Sequence, residues 1–214
     1  MTASVASRPI FARLLARAAA LEEQRGGAEH RRRLLSGLRG RVIEVGVGSG
    51  VSFAHYPPTV TELLAVEPEP HLRAMAQDAA RDAPLAVRVV DGVADRLPAD
   101  DGSMDAGVVT GVLCSVPEPL TALRELARVI RPGGELRFYE HVAARAPRLA
   151  LLQRALDATL WPRLNGGCHT TRDTEADILA AGFAIEERQR FSFRVTALAA
   201  PVAPRILGRA RRPA

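Results

Sequence analysis

The chain has 214 residues, enough for one substantial hydrophobic core and fewer than two full domains usually need. Its 47% apolar content is interrupted by charges, so no run approaches the roughly 20 residues of a membrane span, and the N-terminus lacks the continuous apolar stretch of a secretory signal. All 29 basic residues are arginine, and the net charge of +5 is spread from Arg8 to Arg212 with few aromatics for base stacking, which argues against a nucleic-acid partner.

Residues 8–24 have helical period, with Ile10, Leu14, Leu15, Ala18 and Leu21 on one face and Arg13 and Arg17 on another. Gly26 and Gly27 break that helix, and a second runs from about Glu29 to Leu38, ended by Gly40. Residues 1–40 therefore form a helical extension to one globular unit, 41–214. From Arg41 short apolar runs alternate with helical stretches. "RVIEV" (41–45), "ELLAVE" (62–67), "LAVRVV" (85–90), "DAGVVT" (105–110) and "ELRFYE" (135–140) are expected strands, most buried on both faces. Helices are expected over 70–81 and 119–130, the latter begun by Pro119 and stopped by "RPGG". This alternation means an α/β fold, a mostly parallel sheet flanked by helices that binds ligands at the carboxyl ends of its strands. Beyond residue 147 a helix over about 148–160, a loop "NGGCHTTRD" (165–173) and a short helix over 173–181 are expected. An alternating strand over 183–191 follows, with a last short strand near Ile206–Leu207 at the sheet edge.

"EVGVGSG" (44–50) follows the first strand directly, and Gly46, Gly48 and Gly50 let the turn tighten and a ligand approach the backbone. The third glycine falls at 50 and Val51 follows, so the dinucleotide fingerprint is imperfect; no Gly-Lys-Ser/Thr follows, which excludes a P-loop. Glu67 ends the second strand, 21 residues after Gly46, near the spacing at which a carboxylate grips ribose hydroxyls; the alternative is a surface glutamate before Pro68. Asp91 ends the third strand and opens a small-residue turn, "DGVADRLP".

Together, "EVGVGSG", "VEPEP", "VVDGVADRLP", "DGSMDAGVVT" and "RVIRPGGELRF" resemble the class I S-adenosylmethionine-dependent methyltransferases, over roughly residues 40–141. The resemblance implies a Rossmann-like, mostly parallel seven-stranded sheet with the N-terminal helices as a cap. It implies S-adenosylmethionine as cofactor, with Gly46, Gly48 and Gly50 under its methionine part and Glu44 and Pro68 also among the residues that bind it. Glu67 would bind its ribose, Asp91, Gly92, Val93 and Ala94 would surround the adenine, and Thr110 would lie near the amino-acid moiety. "LCSV" (113–116), "FYEHVAA" (138–144), a helix bearing Gln153, Leu156, Asp157 and Trp161, and "GGCHTTRDT" (166–174) occur in an order similar to the thiol S-methyltransferase family. A thiol acceptor is the leading expectation. An O-, N- or C-acceptor such as a small aromatic or quinone-like metabolite, or cofactor binding without turnover, is the alternative.

On the acceptor side, His141 and His169 are the candidate bases, with Asp157 able to orient one of them. His141 could equally bond a neighbouring carbonyl, and Asp157 reads more readily as structural. Cys114 and Arg172 are candidate substrate contacts, although a cysteine after a strand is often only a small buried hydrophobe. Glu140 either faces the cleft or pairs with an arginine. The two cysteines, 54 residues apart, give no disulfide framework and fit a reducing compartment, so a cytoplasmic protein without stable membrane insertion is expected. The other histidines, His30, His55 and His71, share no metal-ligand spacing with each other or with the cysteines, and no metal is expected.

Overall fold

The computed structural model describes residues 8–159 and 161–214. Residues 1–7 of the expected cap, and residue 160 at the end of the helix expected over 148–160, lie outside the described residues. Helices α1 (Pro9–Glu22) and α2 (Ala28–Leu35) join through a π-type turn that kinks at Gly26, where φ is +114°. Strands β1 (Gly40–Val45) and β2 (Val60–Val66) precede helix α3 (Pro70–Arg81), β3 (Val87–Val90) and β4 (Met104–Thr110). Helix α4 (Pro119–Val129) leads into β5 (Ile130–His141), which bends at "RPGG". The remainder comprises α5 (Pro147–Asp157), α6 (Trp161–Leu164), α7 (Thr174–Ala180), β6 (Ala184–Ser192) and β7 (Pro204–Arg211).

The seven strands form one sheet in the order β3-β2-β1-β4-β5-β7-β6. The first five are mutually parallel, and β7 runs antiparallel to both β5 and β6. Apolar side chains on both faces explain why β1, β2 and β4 read as continuous hydrophobic runs. One face buries Ile43, Val109, Leu123, Leu126 and Phe138 under α4 and α7; the other buries Leu34, Leu35, Leu63, Ala76 and Tyr139 under α2 and α3. Order reverses between β1 and β4, the crevice where open α/β sheets hold ligands. Among the described residues no helix is long and apolar enough to cross a membrane.

Two expectations change. The last strand lies inside the sheet, between β5 and β6, and β6 takes the edge. The interior place is compatible with the arginines of β7 because each is neutralised: Arg205 by Glu22, Arg209 by Glu187, and Arg211 by Glu186. Gly208 lets β7 lie against the Phe138 ring, where a Cβ would come within 2.6 Å of Cζ. The leucine face of α1 points outward, with Ile10 75% and Leu14 58% exposed, while Ala12 is buried. Small side chains face the body instead and let the helix lie close. The Arg8 amide donates to Glu69 Oε1 (3.1 Å), and the Phe11 ring covers Gly166, where a Cβ would sit 2.5 Å from Cζ. The first turn of α1 thus lies between the carboxyl end of β2 and the 165–173 loop, and its last turn reaches Arg205 through Glu22.

Candidate active site

The turn after β1 is built by glycines in the left-handed region: φ is +69° at Gly46, +57° at Gly48 and +81° at Gly50. At Gly46 a Cβ would be 2.5 Å from Val112 Cγ2, so the turn after β4 presses directly on the glycine loop. At Gly48 a Cβ would meet nothing within 4 Å, which leaves the backbone open to a ligand. This open cradle fits the methionine part of S-adenosylmethionine. Gly46→Ala is expected to cost about 2–4 kcal/mol, left-handed strain adding to the Val112 clash. Thermal unfolding checks it, with a midpoint lower by roughly 4–15 °C.

Glu67 is buried at the carboxyl end of β2, its Oε2 accepting from the Gly48 amide and its Oε1 from the Glu69 amide, both at 2.9 Å. Burial pushes its carboxyl upward, and those two amides oppose the rise. Glu69 caps α3 through the Leu72 amide (2.8 Å), which sets the Glu67–Pro68 turn. The Arg73 guanidinium then ties together the carbonyls of Glu67 and Pro68 and the Asp91 carboxylate. The turn from Asp91 to Ala94 is therefore beside Glu67, although Asp91 is largely exposed. The signal for Arg73, an arginine in the first turn of the helix after "VEPEP", was present and unread.

Glu44 lies elsewhere. It is buried behind the loop, accepting from Ser52 Oγ (2.7 Å) and Tyr56 Oη (2.9 Å), and burial raises its carboxyl. It shapes the turn from beneath. Thr110 stands half-buried at the carboxyl end of β4, opposite Tyr139 of β5.

The acceptor-side residues converge next to Thr110. Glu140 does neither of the two things expected of it: its buried carboxylate accepts from the Val112 amide (2.9 Å) and the Cys114 amide (3.3 Å), and burial raises its carboxyl. It thereby holds the turn that carries Cys114. The His169 amide donates to the Cys114 carbonyl at 2.7 Å, and a Cβ at Gly167 would sit 2.5 Å from the Ser115 carbonyl oxygen. The 165–173 loop is locked against that same turn. Cys114 Sγ lies 3.5 Å from His141 Nδ1 and 3.8 Å from Cys168 Sγ, and Cys168 Sγ is 3.9 Å from His141 Nδ1. The shared thiol–thiol hydrogen bond, then burial, pushes Cys114 well above the ordinary thiol range; the same bond draws Cys168 below it. His141 Nε2 is buried with no protein partner among the described residues.

Asp157 is a loop anchor. Its carboxylate accepts from the amides and hydroxyls of Thr170 and Thr171, and His169 Nδ1 is 3.9 Å away, too far for a hydrogen bond. Arg172 donates to the carbonyls of Val116 (2.9 Å) and Pro117 (3.1 Å), so its guanidinium clamps loop to turn. His169 is the polar side chain of this group that remains substantially accessible, at 41%. A separate hollow of about 530 Å³, lined by Arg39, Asp105, Arg131 and Arg211, sits at the amino ends of the strands, away from all of these groups. We place the chemistry at the carboxyl ends, where the open glycine turn and the buried carboxylate meet.

Residues 43–138 match the family described as a methyltransferase domain. Human thiol S-methyltransferase TMT1B is 36% identical over 183 residues, which cover 82% of this chain and 73% of that protein. The YcgJ protein of Bacillus subtilis superposes with a TM-score of 0.70 at 17% identity, covering 87% of this chain and 99% of that one. The [4+2]-cyclase SpnF superposes at 0.62 with 23% identity, covering 92% and 80% respectively. A cyclase among the neighbours shows that this fold alone does not fix a reaction.

Proposed function

This chain belongs to the S-adenosylmethionine-dependent methyltransferases, and we propose that it transfers the methyl group to the sulfur of a small thiol. The observation that carries the reading is the match to the human thiol S-methyltransferase, whose 183 aligned residues necessarily reach well beyond residues 43–138. The segments outside that range include His141, Asp157 and the whole 165–173 loop.

Bound S-adenosylmethionine supplies an activated methyl group on a sulfonium. The chain's own residues position the partners. Gly46, Gly48 and Gly50 would receive the methionine part, and Glu67, held in place by the Gly48 and Glu69 amides, would meet the ribose hydroxyls. Gly92, Val93 and Ala94 would surround the adenine, and Thr110 would stand near the amino-acid end. Methyl transfer is an in-line displacement, for which alignment of the reacting atoms supplies much of the rate. A thiol ionises near pH ~8.5, so the acceptor needs only modest help to become thiolate. His169, the accessible histidine on the 165–173 loop, can take its proton, and the buried, locked turn excludes water from the attacking sulfur.

The test is S-adenosylhomocysteine release from a panel of acceptors. Small thiols are expected to support release, and phenols and amines of similar size are expected to give at least tenfold less. Release with phenols or amines and none with thiols would reject the thiol reading.

A further inference from the structure

We propose that Cys114, His141 and Cys168 form a site for a thiophilic divalent cation, zinc being the fitting class, with a fourth position open to the acceptor. The three ligand atoms come from the turn after β4, the end of β5 and the 165–173 loop, and they close a triangle with sides of 3.5, 3.8 and 3.9 Å. Zinc–sulfur bonds of ~2.3 Å and zinc–nitrogen bonds of ~2.05 Å at a tetrahedral angle require S···S of ~3.8 Å and S···N of ~3.6 Å. The thiol pair matches the first value, and the two sulfur–imidazole distances bracket the second. Two thiolates also neutralise a divalent cation, which satisfies the charge balance a buried site needs.

The triangle is built into the backbone. Glu140 holds the Cys114 amide, His169 N–H holds the Cys114 carbonyl, and Gly167 allows the loop to rest on Ser115. The 3.8 Å between the two sulfurs is the separation a shared cation fills as it stands. Three protein ligands leave one tetrahedral position, the pattern of catalytic zinc sites. Val112, two residues before Cys114, presses on Gly46, so the cluster adjoins the cofactor cradle.

The role of the fourth position rests on the thiol reading above. An acceptor thiol gives its proton to His169 as its sulfur binds the cation. A lone pair of that sulfur then forms the new S–CH3 bond while the sulfonium C–S bond breaks. The broken bond's electrons stay on the sulfur of S-adenosylhomocysteine, and the neutral thioether leaves the metal.

The experiment is a cobalt(II) titration of the full chain, kept reduced with a phosphine and followed by absorption. One equivalent is expected to give thiolate-to-cobalt charge-transfer bands and the intense visible bands of tetrahedral cobalt, both abolished by zinc(II). Cys168→Ser is expected to lose the charge-transfer intensity in part and to bind at least tenfold more weakly, while its unchanged S-adenosylmethionine affinity shows that it is folded. Absence of these bands in the native chain, or an identical spectrum in Cys168→Ser, would overturn the site. Adding 2-mercaptoethanol is expected to shift the visible bands. A tetrahedral cobalt spectrum that thiol leaves unmoved overturns the acceptor role of the fourth position and retains the metal site, and thiol methylation itself is judged separately by product release.

Discussion

Glu67→Ala is expected to weaken S-adenosylmethionine binding by about 10- to 150-fold, because a hydrogen bond to a charged group contributes ~1.5–3 kcal/mol and each ~1.4 kcal/mol is tenfold. Calorimetric titration measures it. The carboxylate is buried, held by the Gly48 and Glu69 amides, and stands beside the open glycine turn. Its removal therefore takes away a ribose contact and also releases two amides that shape the cradle. Glu67→Gln separates the two effects, since the amide oxygen keeps an acceptor for one N–H while the charge is lost. His169→Ala is expected to change cofactor affinity by less than about threefold, because its side chain is exposed on the 165–173 loop, near Asp157. Equal losses in Glu67→Ala and His169→Ala would refute the assignment of Glu67 to the cofactor.

Asp157→Ala is expected to destabilise the chain by about 2–4 kcal/mol, since it strips partners from two amides and two hydroxyls at distances of 2.6–3.0 Å. For a chain of this size that is a drop of roughly 4–15 °C in the unfolding midpoint. The effect has a sign in pH. Burial would raise the Asp157 carboxyl, but the hydrogen bonds from Thr171 and Thr170 outweigh it and hold the group below its ordinary value. A lowered carboxylate contributes stability above its unfolded pKa and loses it as pH falls through the folded one. The gap between native and Asp157→Ala chains is thus expected to be full at pH ~7 and to shrink below pH ~4, as urea unfolding at the two values would show. The freed loop carries Cys168 and His169, so KM for the acceptor is expected to rise severalfold while cofactor affinity holds. A variant as stable as the native chain would remove Asp157 from its anchoring role.

The cofactor half was legible because its signals are local. A glycine turn after a strand, a carboxylate at the next strand end and a polar turn at the third all follow from strand–turn–helix chemistry within a few residues. Even there, the partners of Glu44 were not legible: an acidic residue at the end of a buried strand can point to either side of its turn. Ser52 and Tyr56, which hold it, come from the following segment. The position of β7 was not legible either, since it depends on pairing with β5, some 70 residues earlier, and Arg205 finds its carboxylate on α1, 183 residues away.

The acceptor half shows the division most clearly. The residues of "GGCHTTRDT" and "YEHV" were visible as a polar, reactive set, and Asp157 could be read as structural. What each side chain does was set by long-range packing. Arg172 spends its charge on two carbonyls, Glu140 holds two amides, and Cys114 meets Cys168 across 54 residues of chain. By itself the sequence determined an α/β sheet, its glycine turn and a carboxylate at the end of the second strand, because backbone conformation and hydrophobic period are properties of neighbours. Only the tertiary structure decided which side chains anchor the acceptor side and which face one another, because hydrogen-bond partners and sulfur–imidazole distances depend on separate segments meeting in the folded chain.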